Sequence, residues 1–218
     1  MNFGQDGCIL QGNMVYNLIP VRQQPEPPDF NSGVRTPGSA FLSQTPDPTK
    51  RQWDKNRYWK SCLSDLYRSY DEICAYTGIW ISFHGATVDH FLPKSRHPQG
   101  AYEWENYRLS CDRANNNKGD STDVLDPFLI QPDYFVLNFP SLLVKPNASL
   151  QADEKRKVER TIAILRLNEE CFIQDRLHWL REYIYTQDTH FLRRHAPFIA
   201  YELERQHLES SIITMMRV

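Results

Sequence analysis

Between Thr87 and Gly119 the chain reads TVDHFLPKSRHPQGAYEWENYRLSCDRANNNKG, and no other stretch restricts the fold as tightly. Thr87 to Phe91 and Tyr107 to Cys111 each have the length and the β-branched or aromatic content of a short strand. Pro93, Pro98 and Gly100 break the polar run Pro93 to Glu105 into a loop. From Asp112 onward the residues favour helix. The expected order is strand, long loop, strand, helix.

Helix periodicity organises what flanks this unit. Trp59, Leu63, Leu66, Tyr70 and Ile73 recur at spacings of 4, 3, 4 and 3, which predicts one helix over Asp54 to Ile73. Ile79 to Phe83 reads as a further strand, stopped by Gly85. Upstream, Pro20, Pro25, Pro27, Pro28, Pro37, Pro46 and Pro48 remove backbone donors and predict an extended arm. Ile19, Val21, Phe30, Val34, Phe41 and Leu42 are too apolar for a free tail, so the arm should pack on its own domain or on a partner. Its first dozen residues are expected to be loose.

Downstream, Asp126 to Pro146 is punctuated by proline, with Phe135 to Leu137 a strand candidate. Apolar stripes then mark a helix through Val158, Ile162 and Leu165 and another through Ile173, Leu177, Leu180 and Ile184. A third runs from Thr189 to about His207, with a kink or break near Pro197. The reading is an α+β fold in three parts: an arm over 1–50, a core with its leading helix over 51–135, and a helical region over 136–218.

A chain of 218 residues with 40% hydrophobic content can build one generous domain. No run approaches the roughly 20 apolar residues of a membrane span. The start lacks the basic and apolar regions of a secretory signal, so a cytoplasmic location is expected. The five cysteines, Cys8, Cys62, Cys74, Cys111 and Cys171, are scattered and odd in number, which argues against a disulfide framework.

The net charge of -2 is awkward for a partner of nucleic acid, whose affinity comes mainly from phosphate neutralisation. The charge is uneven, however. Lys50, Arg51, Lys55, Arg57 and Lys60 face only Asp54 and are interleaved with Trp53, Tyr58 and Trp59. Two readings stay open: a basic stripe with stacking aromatics, or a solvated helix face with the aromatics packed inward. Arg193, Arg194 and His195 form a smaller basic cluster, read as solvated or facing a partner. Glu103 and Glu105 read as solvated acids, and His84 and His97 as loop residues.

The polar residues of the central stretch suit one kind of chemistry. Hydrolysis of a phosphodiester needs a base for water, charge on the pentacoordinate phosphate and help for the leaving oxygen. A histidine titrates in the right range for the first. A hard divalent ion on oxygen ligands serves the other two. Asp89 and His90 are adjacent on a strand and so point to opposite faces. Asn115, on the following helix, can add an oxygen ligand, with Asn116 the alternative. Asn106, where the second strand begins, can bond the backbone of the long loop and fix the angle of His90. Lys94, Arg96, Arg108 and Arg113 are candidate phosphate contacts.

Asp-His-x-x-Pro, then Asn106, then Asn115-x-x-Lys118-Gly119 nine residues later resembles the HNH endonuclease family, whose core is the ββα-metal finger. The resemblance covers about 74 to 119. It implies His90 as general base, Asp89 and Asn115 as metal ligands, Asn106 as the loop-positioning residue and Lys118 as a phosphate stabiliser. It implies Mg²⁺, with Mn²⁺ an alternative, and cleavage to 5′-phosphate and 3′-hydroxyl ends. DNA is the expected substrate. An RNA or tRNA nuclease, or an interaction subunit whose core is mainly scaffold, are the alternatives. The zinc-bearing branch braces its finger with two C-x-x-C pairs. Here Cys74 is followed by Ala75-Tyr76-Thr77 and Cys111 by Asp112-Arg113-Ala114, so no structural zinc is expected. A looser resemblance over 50 to 130, to the HNH proteins of Septu- and retron-type anti-phage systems, implies an ATPase partner docked through the arm.

Overall fold

The computed structural model describes residues 21–216 and shows an α+β chain. The expected loose start of the arm, with Cys8, Ile19 and Pro20, lies outside these residues. From Val21 to Pro27 the arm is extended and tied to its own domain. Val21 N–H donates to the Pro127 carbonyl at 3.1 Å. Gln24 N–H donates to Tyr70 Oη at 3.1 Å, and Trp104 Nε1 donates to the Gln24 carbonyl at 2.7 Å.

The extended reading fails beyond that point. A π-helical turn over Asn31–Arg35 runs into helix α1, Thr36–Gln44. Pro37 falls where the π-helical turn passes into α1, and its missing N–H interrupts the hydrogen-bond ladder at that junction. Phe30 and Val34, four apart, are both buried. Phe30 meets Trp104 and Tyr107 edge-on at 5.5 and 5.8 Å. Burying such a side chain contributes about 2–3 kcal/mol.

The single helix expected over Asp54 to Ile73 is also split. Helix α2 is Lys50–Lys55, opened by a capping box between Thr49 and Gln52. A 3₁₀ turn covers Tyr58–Cys62, and α3 is Leu63–Ser69. Packing explains the break. In a continuous helix Trp53 and Trp59 would point about 120° apart, at about 100° per residue. The break at Asn56 and Arg57 turns both into one aromatic cluster, 6.2 Å apart and each within about 6 Å of Tyr102. Asn56 Nδ2 closes α2 on the Gln52 carbonyl at 2.8 Å.

The strand expected over Ile79 to Phe83 reduces to one bridge, Ile73 to Trp80. Its amides bond elsewhere: Trp80 N–H to the His195 carbonyl at 2.7 Å and Ile81 N–H to the Glu72 carbonyl at 2.9 Å. Asp71 and Glu72 enter this turn in left-handed conformations.

Strand β1, Ala86–His90, pairs antiparallel with β2, Tyr107–Cys111, with Asp89 opposite Arg108 and His90 opposite Tyr107. Helix α4, Asp112–Lys118, follows β2 directly and ends at Gly119, whose φ of +52° and ψ of -131° suit only glycine. Strands β3, Phe135–Asn138, and β4, Leu143–Pro146, form a second hairpin of which only β3 was legible. Helices α5, Ala152–Leu165, and α6, Glu170–Thr186, follow. Pro197 breaks the third stretch into α7, Thr189–His195, and α8, Pro197–Arg205, and a short α9, Ile212–Met215, was not foreseen.

Three cores result. One joins the arm and helical turns to β1 and β2. One fills the C-terminal part around β3, β4, α6 and α8. The third, with Cys74, Tyr76, Ala114, Val124, Leu165, Leu167 and Phe172, seats α4 on α5 and α6. The ββα unit is thereby clamped from both sides.

Candidate active site

Strand pleating separates the two central residues. His90 follows Val88 into the aromatic core, while Asp89 follows Thr87 toward α4. His90 is 6% exposed and sits edge-on against Trp59 at 4.8 Å and Tyr107 at 5.3 Å. Its Nε2 lies 2.9 Å from the Ala101 carbonyl, so Nε2 carries the proton and Nδ1 is left with its lone pair. Burial, then the charge of Lys94, pushes the imidazole down to about 3, against the pull of the Ala101 carbonyl. The ring is neutral at neutral pH, with the Nδ1 lone pair unprotonated, and burial makes it a weaker base than an ordinary histidine.

Asn106 braces the loop that carries Ala101. Its Oδ1 accepts from Leu92 N–H at 2.7 Å, and its Nδ2 donates to the carbonyls of Leu92 and Gly100, both at 3.0 Å. One side chain ties both ends of the long loop beneath His90.

Asp89 is 2% exposed. Tyr76 Oη donates to its Oδ2 at 2.5 Å, and Lys118 Nζ donates to its Oδ1 at 3.0 Å. Burial pushes the carboxyl up, while Lys118 and Tyr76 pull it down. Lys118 also donates to the His90 carbonyl at 2.8 Å, and its side chain is fully buried. It holds strand and carboxylate together as a buried internal partner, where the resemblance implied a phosphate stabiliser. Asn115, half-buried one turn earlier on α4, donates from Nδ2 to Thr87 Oγ1 at 3.3 Å. Its Oδ1 has no protein partner among the described residues. Asn116 is exposed.

These donors suit a hard cation. Each Asp89 oxygen accepts one hydrogen bond and retains a second lone pair, and Asn115 on the same face offers a free amide oxygen. No group of three or more His, Cys, Asp or Glu gathers among the described residues. One carboxylate and one amide fit an ion that keeps several waters, as Mg²⁺ does.

The basic candidates fall into two groups. Arg108 is a correction: it is 3% exposed, paired in a fork with Asp126 at 2.8 Å to each oxygen. It also donates to the carbonyls of Glu105 and Tyr107 and lies 3.5 Å over the Phe128 ring. Four of its five N–H groups are engaged, and the side chain is closed off from an arriving phosphate by burial. Lys94 is half-buried, 5.3 Å over the Trp59 ring and close enough to shift His90. Arg57, Arg96 and Arg113 are exposed. In the Lys50–Lys60 stretch Trp53 and Trp59 are buried, so the aromatics pack inward and do not offer a stacking surface.

Cys74 is buried and Cys111 partly so, and Cys111 N–H donates to Cys74 Sγ at 3.3 Å. Sequence reasoning missed Tyr76, Trp59 and the Ala101 carbonyl as parts of the site. Tyr76 stands in a turn with no periodicity, and a backbone carbonyl leaves no mark on a sequence.

Residues 72–121 match the family model described as HNH endonuclease, and this span contains β1, the long loop, β2 and α4 complete. No curated protein matches the chain. The fold shows a ββα unit over this span, and the match shows that it is similar to HNH endonucleases, which suggests a nuclease. No helix among the described residues is long and apolar enough to cross a membrane.

Proposed function

We propose that the protein is a metal-dependent endonuclease that hydrolyses phosphodiester bonds of DNA. The observation that carries this reading is the His90 imidazole, pinned at Nε2 by Ala101, at the end of the strand that also presents Asp89. His90 Nδ1 takes a proton from water as its oxygen bonds to phosphorus and the bond to the 3′ oxygen breaks. The 3′ oxygen is protonated from solvent, which leaves 5′-phosphate and 3′-hydroxyl ends. A divalent cation, Mg²⁺ or Mn²⁺, held by Asp89 and Asn115 would supply positive charge to the phosphate and the leaving oxygen. Lys94, over the Trp59 ring beside His90, steers the backbone, with the exposed Arg96 and Arg113 as outer contacts. Asn106 keeps the loop and hence His90 in register.

The setting that the sequence resemblance suggests is cytoplasmic anti-phage defence with an ATPase partner. The described part of the arm is spent on its own domain, so such a partner would meet its outer face. A second reading, a scaffold subunit, draws on the near closure of Asp89 and His90. The test is cleavage of plasmid and of single-stranded RNA by the purified chain in Mg²⁺, Mn²⁺ and EDTA. Metal-dependent plasmid nicking that His90→Ala abolishes is expected. Cleavage of RNA alone would move the substrate to RNA. Nicking retained in His90→Ala would remove His90 as the base.

A further inference from the structure

Lys118 is among the largest fully buried side chains, yet a lysine ammonium in a protein interior normally demands a partner. It has two: Asp89 Oδ1 at 3.0 Å and the His90 carbonyl at 2.8 Å. A carboxylate oxygen and a carbonyl oxygen around one compact positive charge is the surrounding of a bound cation. Among the described residues, Asp89 is the only carboxylate in direct contact with it. On the far side Tyr76 Oη holds the other Asp89 oxygen at 2.5 Å. The carboxylate is thus neutralised and aimed before any metal arrives.

We propose that Lys118 is a resident counter-cation that competes with the divalent ion for Asp89 and so sets the affinity of the site for metal. This rests on the reading of Asp89 as a metal ligand. An ion on Asp89 must either share the carboxylate with the ammonium or displace it, and two like charges on one buried carboxylate repel strongly. Lys118 therefore stabilises the metal-free protein and weakens the metal-bound one. It acts through Asp89, as a positioning residue. The arrangement makes occupancy responsive to the negative charge of an arriving phosphate, which offsets the second cation.

The experiment is Mn²⁺ binding followed by electron paramagnetic resonance, with thermal melting in EDTA and in Mn²⁺. The proteins are the full chain, Lys118→Met, Lys118→Gln and Asp89→Asn. Lys118→Met should bind Mn²⁺ at least about tenfold more tightly, the direction set by removal of the like charge. Its melting temperature in EDTA should fall, and the rise on adding Mn²⁺ should exceed that of the unaltered chain. Lys118→Gln keeps hydrogen-bonding atoms without the charge, so it should shift affinity the same way even if the methionine variant folds poorly. Equal or weaker Mn²⁺ binding in the lysine variants overturns the proposal. If the unaltered chain still nicks plasmid in Mn²⁺, the nuclease reading survives that result. Loss of no Mn²⁺ binding in Asp89→Asn would overturn both.

Discussion

Replacement of Asn106 by alanine isolates the brace under His90. The amide makes three hydrogen bonds, at 2.7, 3.0 and 3.0 Å, and is 8% exposed. Each such bond is worth about 1 kcal/mol net, so their loss costs about 3 kcal/mol if the loop holds its shape. The loop can instead open at Leu92, which is 41% exposed, and let water satisfy the freed groups. That relief puts the expected loss of stability at about 2 kcal/mol. The local effect is larger than the global one. Asn106 Oδ1 is the acceptor of Leu92 N–H, so exchange of that amide should accelerate by about tenfold or more. Ala101 follows Gly100 directly, so the carbonyl that holds His90 moves with the loop. A misplacement of about 1 Å costs on the order of 100-fold in rate, and it should appear in kcat more than in KM. Asn106→Asp keeps the acceptor for Leu92 but sets a charge against two carbonyls, so it should be no better than alanine. Hydrogen exchange by mass spectrometry, with melting and plasmid nicking, reads all three effects. Unchanged exchange at Leu92 in Asn106→Ala, or an aspartate variant as stable as the parent, refutes the brace.

Three further outcomes follow from the packing. A Cβ at Gly38 would lie 2.1–2.6 Å from the Tyr102 ring, so Gly38→Ala should lower stability by about 1–3 kcal/mol in urea unfolding. Arg108→Ala strands the Asp126 carboxylate and two carbonyls and should cost about 3–5 kcal/mol, while the double change with Asp126→Ala costs less than the two single changes added together. The Arg35 guanidinium, hydrogen-bonded to Glu26, holds that carboxyl below its ordinary value. Its contribution is therefore complete above the usual carboxylate range and lost as pH falls through the lowered value. Trp104, tied to the arm through Gln24, should report this as a fluorescence change on acidification that Glu26→Gln flattens.

The ββα unit was legible because its signals are local. Prolines and Gly100 bound the loop, the strands are short and β-prone, and α4 follows β2 without a linker. Asn106 was legible for the same reason, since a side chain at the mouth of a long loop has few other tasks. What failed depends on distant partners. The helix split at Asn56 answers to Tyr102, 46 residues away in sequence, whose hydroxyl bonds the Asn56 carbonyl. Arg108 looked like a surface charge on a short strand, and only the fold brings Asp126 and Phe128 against it. Prolines were weighed as helix breakers in the arm, yet Pro37 sits within a continuous helical run, at the junction where π spacing gives way to α.

Charge gives the final constraint. The chain carries a net charge of -2, and the structure removes two cations of the central stretch from circulation. Lys118 is committed to Asp89, and Arg108 to Asp126. Arg57 also pairs with Asp54, though both remain partly exposed. The cations left near His90 are Lys94, leaning on Trp59, and the exposed Arg96. Two or three phosphate contacts give a salt dependence of about -0.9 each in log affinity, a shallow slope for a duplex binder. The exposed Lys50, Arg51 and Lys55 on α2, and Lys60 in the 3₁₀ turn that presents Trp59, are the nearest reserve of positive charge along the chain. A duplex reaching His90 across that segment would gain grip without any of the buried cations leaving its carboxylate. Grip and chemistry are then divided between two sets of residues, one solvated and one dry.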